Sequence, residues 1–329
     1  MKKNGKYYPL ILFNLIFIGV IFFSSLSSSI RLNINKTNVS EYKQKYFSQG
    51  KIMPEKINYF ILKKILIIAS IKIFFGAAYI IWIFRLLKTN KINFASRLFL
   101  YAFSLSLFGI ITGSYPNPLE LLKNFTLDIL FYKTFDIYVF FMLASFFFPM
   151  FFLNGSVCGW VCPFGVFQDL IYRINRNINE KPIAFQQFKM TFKISNYFRF
   201  FFFIVIISGI VIFNLDIIAA VNPFLIFNPI LLWSGSAFFS ALILISSLFI
   251  YRPFCFLFCP FGLASWFAER FSINKIRVNK NKCSSCGKCV DFCPSGTMES
   301  ILTNQKTKPD CYLCGTCVEN CPDKAISIS

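Results

Sequence analysis

Two cysteine runs of identical spacing lie in about the last fifty residues, and they constrain the fold more than any other feature. The run from Cys283 reads C-S-S-C-G-K-C-V-D-F-C-P, and the run from Cys311 reads C-Y-L-C-G-T-C-V-E-N-C-P. Each has the form C-x2-C-x2-C-x3-C-P, which supplies the thiolates that a [4Fe-4S] cube requires. The sequence therefore predicts two [4Fe-4S] clusters in this segment.

The same spacing predicts which cysteines share a cluster. In two-cluster ferredoxins the fourth cysteine of each run binds the other cluster. One cluster is thus assigned to Cys283, Cys286, Cys289 and Cys321, and the other to Cys311, Cys314, Cys317 and Cys293. Structural zinc favours two separated cysteine pairs, and cysteines so close in sequence pair poorly as disulfides. So small a domain buries little core, so the clusters would supply its folding energy.

Upstream, the chain is dominated by apolar runs, most of them near the ~20 residues that a membrane span needs. They cover residues 10–26, 65–87, 98–111, 135–153, 200–220 and 230–251. The sequence predicts an α-helical integral membrane protein of about six transmembrane helices, the first one retained, with a small C-terminal α+β ferredoxin-like domain. Its expected parts are an N-terminal membrane region 1–96, a duplicated membrane domain 97–268 and the ferredoxin-like domain 269–329.

Charge indicates the orientation. Lys and Arg number 34 against 14 Asp and Glu, and they are spread between apolar segments, so nucleic acid is not an expected partner. The 85–97 and 154–199 loops are basic, whereas 114–134 and 215–229 carry only Lys123 and Lys133. The positive-inside rule places the basic loops, both termini and the ferredoxin domain in the cytoplasm, although the basic 31–58 loop departs from the pattern. We expect a multi-pass protein in lipid of the cytoplasmic (inner) membrane.

The chain contains no histidine, which excludes histidine-ligated haem, the usual zinc and non-haem iron sites and any histidine base. Its 12 cysteines are therefore the only strong metal ligands. Their clustering argues against a secreted disulfide framework, so the cysteine-rich parts should face a reducing compartment.

The membrane domain contains an internal repeat. A helix opened by Arg97 leads to Asn117-Pro118, and a second helix leads to C-G-W-V-C-P-F-G. A helix opened by Arg199 leads to Asn222-Pro223, and another leads to C-F-L-F-C-P-F-G. Membrane proteins built from repeats often place their functional site between the units.

The repeated motif is C-x3-C-P, with Cys158 and Cys162 in the first copy and Cys255 and Cys259 in the second. If helical, each pair lies at i and i+4 on one face. The four thiols could hold a further Fe-S cluster, form redox-active pairs or bind Cu(I), which soft thiolates select. Buried cysteines acting as small hydrophobes are the alternative without function.

Other residues carry weaker signals. Asp169, after the first motif, is expected at the membrane interface, and Lys72, inside an apolar run, is expected to extend toward the membrane surface. The tryptophans fit interfacial belts, namely Trp82, Trp160, Trp233 and Trp266.

Together these motifs resemble the NapH-type membrane polyferredoxins, whose relatives include NosR-type regulators and CcoG-type copper reductases. The resemblance covers residues 97–329. It implies an electron carrier that takes electrons from membrane quinol and passes them to a periplasmic reductase or its partners. NosR-type members also carry a large flavin-binding extracytoplasmic domain, for which the 31–58 loop is too short.

We therefore expect a quinol dehydrogenase-like electron-transfer subunit that works with the quinone pool and other redox subunits of a respiratory complex. The direction of electron flow is left open by the sequence. One alternative is a copper-reducing or metal-handling membrane protein. Another is a redox-sensing or assembly factor for a terminal reductase.

Overall fold

The computed structural model describes residues 59–113, 117–129, 137–177, 180–213, 218, 222–227, 234–305 and 308–328. The first predicted apolar run, the 31–58 loop and Trp233 lie outside these ranges. The fold is mostly helical in the part described.

Nine helices precede the ferredoxin-like domain in the described ranges. They are α1 Tyr59–Lys88, α2 Phe94–Ser104, α3 Pro118–Leu127, α4 Ile137–Leu153, α5 Pro163–Ile174, α6 Phe192–Phe213, α7 Ser234–Ser246, α8 Pro253–Leu257 and α9 Pro260–Glu269. Wider π-helical turns extend α2 over Leu105–Ile111 and separate α4 from α5 over Val157–Val161, and a 3-10 turn covers Pro223–Phe227. We call α2 to α5 the first repeat unit and α6 to α9 the second.

Two described helices are long and apolar enough to cross a membrane, Phe94–Ile111 and Phe192–Gly209. Val139–Leu153 and Gly235–Ser246 are apolar but shorter, and the second predicted run lies within α1. The described residues thus contain helices at five of the six predicted runs, two of them of spanning length and composition by this criterion.

The Asn-Pro bends of the two repeat units have the same local cause. Asn117 accepts a hydrogen bond from the Glu120 amide at 2.8 Å, and Pro118 takes the first position of α3, where no amide is needed. Asn222 accepts from the Phe224 amide at 3.1 Å and starts the 3-10 turn. The sequence repeat is therefore also a structural repeat at these bends.

The C-terminal domain pairs strand β1, Ile276–Val278, antiparallel with β2, Ile326–Ile328. Three short helices lie between them, α10 Lys288–Phe292, α11 Thr297–Leu302 and α12 Thr316–Glu319. Gly287 and Gly315 precede α10 and α12 with φ of 76° and 78°, a left-handed conformation that glycine adopts without strain. The two cysteine runs therefore fold alike.

Candidate iron-sulfur centres

The fourth cysteine of the first ferredoxin run lies with the second run. Cys293 shares one cavity, which we call the ferredoxin cavity, with Cys311, Cys314 and Cys317. This is the grouping predicted for the second cluster. The donor set fits a [4Fe-4S] cube, which needs four thiolates around one space.

The other ferredoxin cysteines also lie together. Burial raises the pKa of the Cys289 thiol, and the charges of Cys321, Cys283 and Cys286 raise it further, which places all four within electrostatic reach. Cys286 is exposed, so this group lies toward the protein surface. All 12 cysteines are unpaired thiols in the structure.

The four cysteines of the C-x3-C-P motifs line a second space, which we call the membrane-motif cavity. Two of them come from each repeat unit, so the cavity lies at the interface between the units. The other described residues that line it are apolar, aromatic or small, and none of them is charged: Pro118, Phe146, Val157, Phe164, Gly165, Phe224, Phe254, Phe261, Gly262, Ser265 and Tyr312. The Asn-Pro bends contribute Pro118 and Phe224.

Neither C-x3-C-P motif forms the continuous helix considered from the sequence. Cys158 lies in the π-helical turn, and Cys162 has an extended backbone and caps the start of α5. Cys255 lies in α8, and Cys259 caps the start of α9 and accepts a bond from the Gly262 amide at 3.3 Å. The proline after the second cysteine explains the break, because proline favours the first position of a new helix.

Two polar side chains of the neighbouring repeat unit contact these cysteines. Gln168 of α5 lies 3.7 Å from the Cys255 sulfur, and Ser265 of α9 lies 3.8 Å from the Cys158 sulfur. Both residues stand ten positions after the first cysteine of their own motif. That shared offset is a signal that the sequence itself carries.

The segment around Cys311 packs directly on the first C-x3-C-P motif. Asn154 donates to the Cys311 carbonyl at 3.0 Å, and Trp160 donates to the Leu313 carbonyl at 3.1 Å. Gly159 approaches the Tyr312 carbonyl so closely that no side chain would fit between them. The repeat units and the ferredoxin-like domain therefore meet at the cysteine motifs themselves.

Tyr312 stands between the two cavities and lines both. It is buried beside Cys311, and the Arg252 guanidinium lies 4.5 Å above its ring. The membrane-motif cavity and the ferredoxin cavity are thus adjacent.

A buried ion-pair network supports this interface, centred on Asp169. Its carboxylate pairs with Arg173 at 2.7 Å and with Arg252 at 2.6 Å. Burial alone would raise the pKa of Asp169, but the two guanidinium groups outweigh it and hold that pKa well below its usual range. Arg252 also donates to the carbonyls of Cys158 and Gly159, so the network fixes the first motif.

The arginines that open each repeat unit both reach the ferredoxin domain. Arg97 donates to the Cys314 carbonyl at 2.8 Å and pairs with Glu319 and Glu180. Arg199 forms a two-point contact with Asp310 at 3.1 and 2.7 Å. Neither arginine is exposed, and these ion pairs join the helical part of the chain to the ferredoxin-like domain; Arg199–Asp310 is buried on both sides, whereas Glu319 is partly exposed.

Glu269 is a further carboxyl between the cavities. One oxygen accepts from the Cys311 amide at 3.1 Å, and the other lies 3.5 Å from the Ser265 hydroxyl. Burial raises the pKa of Glu269 well above its usual value, and neighbouring Asp310 adds to the effect.

Three weaker expectations require correction. Asp169 does not lie at a solvated interface but is fully buried in ion pairs. Trp160 is also fully buried rather than part of an interfacial belt, whereas Trp82 is about half exposed. Lys72 does not extend to the surface: it is buried and donates to the Gly113 carbonyl at 3.0 Å.

Within the described ranges, no group of three or more Cys, Asp or Glu side chains is placed to hold a single metal ion. The cysteine groups described above are instead arranged around shared cavities.

Comparison with protein families matches both cysteine-rich parts of the chain. A "4Fe-4S binding domain" profile matches residues 135–181 and 231–279, which contain the two C-x3-C-P motifs. A "4Fe-4S dicluster domain" profile matches residues 275–322. No solved structure matches the chain.

Three curated proteins are similar over part of the chain. An uncharacterized protein of Methanocaldococcus jannaschii is 30% identical over 190 residues, 56% of this chain and 68% of that protein. YccM of Escherichia coli, named for electron transport, is 29% identical over 163 residues, 47% of this chain and 45% of YccM. The methylamine utilization ferredoxin-type protein MauN of Methylobacillus flagellatus is 25% identical over 151 residues, 44% of this chain and 50% of MauN. The chain matches about half the length of the last two.

The cysteine cavities and the matched domains define an iron-sulfur protein with ferredoxin-type 4Fe-4S domains. Within that class, the chain belongs to the same family as the Methanocaldococcus jannaschii protein.

Proposed function

We propose that this chain is a membrane-embedded electron carrier that moves electrons between membrane quinol and a respiratory reductase system. The adjacency of the two cysteine cavities at Tyr312 carries this proposal. Two relatives are named for electron transport or as ferredoxin-type, which supports the electron-transfer part. The likeness to NapH-type polyferredoxins motivates the quinol and reductase parts.

Exposed apolar side chains support a location in the membrane. Monomeric soluble proteins seldom expose contiguous apolar patches larger than a few hundred Å². Large apolar residues point outward on five helices: Phe74, Phe75, Ile81 and Trp82 on α1; Phe99 and Phe103 on α2; Phe140, Phe141 and Phe148 on α4; Phe200, Phe201 and Ile204 on α6; and Phe238, Leu242 and Ile245 on α7. With residues 10–26, these helices account for the six proposed spans.

One end of each of these helices faces the ferredoxin domain. The beginnings of α2 and α6 contact it through Arg97 and Arg199, and the end of α1 through Leu87, beside Gly315. The segments after α4 and α7 contact it through Asn154 and Tyr251. This alternation of helix ends supports a multi-pass arrangement with the ferredoxin domain on one side, which the basic loops favour as the cytoplasm.

The proposed route runs through the interface between the domains. Bound [4Fe-4S] clusters would supply one-electron carriers at the cysteine groups. Tyr312, Trp160 and Gly159 hold the ferredoxin cavity against the first membrane motif and leave no space for bulk water between them. Exposed Cys286 places the other ferredoxin group where a soluble partner could approach.

Anaerobically purified protein in lipid nanodiscs tests the proposal. A reduced quinol analogue should generate the EPR signals of reduced clusters, or the matching quinone should bleach them in dithionite-reduced protein. Nanodiscs without quinone are the control for slow oxidation of the reduced clusters in the absence of quinone. If neither addition changes the spectrum while dithionite still reduces the clusters, the quinol part of the proposal is wrong.

A further inference from the structure

We propose that Cys158, Cys162, Cys255 and Cys259 together bind a third [4Fe-4S] cluster, with Gln168 and Ser265 as hydrogen-bonding residues beside its sulfur ligands. The proposal deepens the electron-transfer function and rests on it for its purpose. Binding itself is independent of quinol, because each thiol simply exchanges its proton for an iron of the cube.

The number and placement of thiols favour a cube. Four cysteines from two repeat units surround one space, as Cys293 and the second run do in the ferredoxin cavity. The membrane-motif cavity and the ferredoxin cavity each have a volume of about 20 Å³. The two cavities are thus equal in size, and a cube is predicted for one of them.

The environment of the thiols favours a buried, anionic group. Cys162 and Cys259 cap α5 and α9, so the positive ends of two helix dipoles meet at the cavity. The Gly262 amide already donates to the Cys259 sulfur. Among the residues that the structure describes, no carboxylate lines the cavity to oppose the negative charge of ligated thiolates.

Contacts across the repeat interface also fit the binding of a cluster by these four cysteines. Gln168 donates toward the Cys255 sulfur at 3.7 Å, and its carbonyl is fixed by the Phe254 amide at 2.9 Å. Ser265 is its counterpart beside the Cys158 sulfur, and its hydroxyl can rotate to donate there once the thiol proton is gone. Hydrogen bonds to cluster sulfurs help to set the reduction potential of a cluster.

Burial distinguishes this role from exchange chemistry at the same thiols. Cys158, Cys255 and Cys259 are each at least nine-tenths buried, whereas Cys162 is partly buried. Each motif thus has at least one thiol that a protein partner cannot approach, although a thiol pair that reacts with a partner, or passes a copper ion to one, needs such an approach. A cluster that only exchanges electrons does not need a partner to approach its cysteines directly.

Iron and acid-labile sulfide in anaerobically purified full-length protein test the proposal. Wild type should contain about 12 iron atoms per chain, from three cubes of four. The double variants C158S/C255S and C162S/C259S should each lose about a third of the iron and sulfide. Retained EPR signals of the ferredoxin clusters would show that these variants are folded.

Two outcomes would overturn the proposal: about 8 irons in wild type with no loss in the variants, or stoichiometric copper that disappears with the same cysteines. Neither outcome bears on whether quinol reduces the ferredoxin clusters, so this proposal and the quinol proposal fail separately.

The single variants Q168A and S265A give a second readout that does not depend on removing ligands. Each should keep full iron content and lower the reduction potential of one EPR-detected cluster, because a donor to an anionic ligand is lost. Q186A, which changes an exposed glutamine, is the matched control and should leave every reduction potential unchanged. Unchanged potentials in both variants would refute the assigned role of Gln168 and Ser265.

Discussion

Arg252 shows how single residues position the cysteine motifs. Its backbone lies in the left-handed region, with φ of 46°, just before the proline that starts α8. From there the guanidinium reaches the carbonyls of Cys158 and Gly159 in the other repeat unit. A residue three positions before one motif thus fixes the backbone of the other.

Asp169→Asn should destabilise the folded protein by about 3–5 kcal/mol, because it leaves Arg173 and Arg252 without a buried counter-charge. The folded-state pKa of Asp169 is lowered, so its stabilising effect is complete above the unfolded pKa of about 3.9 and is lost only in stronger acid. The difference in the free energy of unfolding between wild type and the variant should therefore be constant between about pH 6 and 8. Thermal unfolding followed by circular dichroism measures it.

Glu299→Gln is the control for this prediction, because Glu299 is exposed and its substitution should leave the unfolding temperature nearly unchanged. Equal unfolding temperatures for the two variants would show that the buried network does not stabilise the protein.

Residue spacing accounts for the cysteine groupings but not for their surroundings. The exchange of Cys293 into the second group follows from the ferredoxin spacing, and the structure places it there. The contacts of Gln168, Ser265 and Asp169 depend on how α5 and α9 pack across the repeat interface, which no local pattern encodes. The available signals were their polar character within a predicted membrane domain and, for Gln168 and Ser265, the shared ten-residue offset from their motifs.

The π-helical turn Val157–Val161 is the element that joins the two domains. Such wide turns are rare in helices and frequently occur at functional sites. Here the turn carries Cys158 into the membrane-motif cavity and presents Gly159 and Trp160 to the Cys311 segment. One short element therefore serves the cavity and the docking surface together.

Gly159→Ala should loosen the ferredoxin domain, because the added methyl group would collide with the Tyr312 carbonyl in the main chain. Backbone atoms cannot move aside as cheaply as the end of a flexible side chain. Hydrogen exchange and limited proteolysis should show faster exchange and cleavage in residues 311–321 than in wild type.

Gly76→Ala provides the matched control in helix α1, since its new methyl group would meet Val161 at 3.6 Å and Phe108 at 3.9 Å, both ordinary contacts. This substitution should leave exchange unchanged, or slow it slightly through the better helix propensity of alanine. Identical exchange in both variants would contradict tight docking at Gly159.

Apolar runs predicted where helices occur, but not how the motif helices are divided. Runs 98–111 and 135–153 correspond to α2 with its π-helical extension and to α4. The starts of α5 and α9 could have been inferred from Pro163 and Pro260, since proline after a capping residue is a helix start signal. The short helix α8 also begins at a proline, Pro253, so its start carried a similar signal.

At the scale of the whole molecule, the proposed orientation predicts which loops a membrane-impermeant maleimide can reach. Lys181→Cys lies in an exposed loop on the ferredoxin side and should be labelled only after the cells are permeabilised. Lys133→Cys, in a loop expected on the opposite side, should be labelled in intact cells. Wild type, with its own cysteines, gives the background, and the reverse pattern would invert the proposed topology.

Each repeat unit contributes one half of the membrane-motif cavity, and this pairing bears on the origin of the chain. A polypeptide with a single repeat unit would present two thiols and one polar partner, which is half of the membrane-motif cavity. Two identical copies related by a two-fold axis would complete it, as symmetric dimers complete shared sites. Duplication and fusion of such a unit would produce a chain like this one. Fusion would also leave Asp169 and Trp266, which stand at the same offset from their motifs, free to differ.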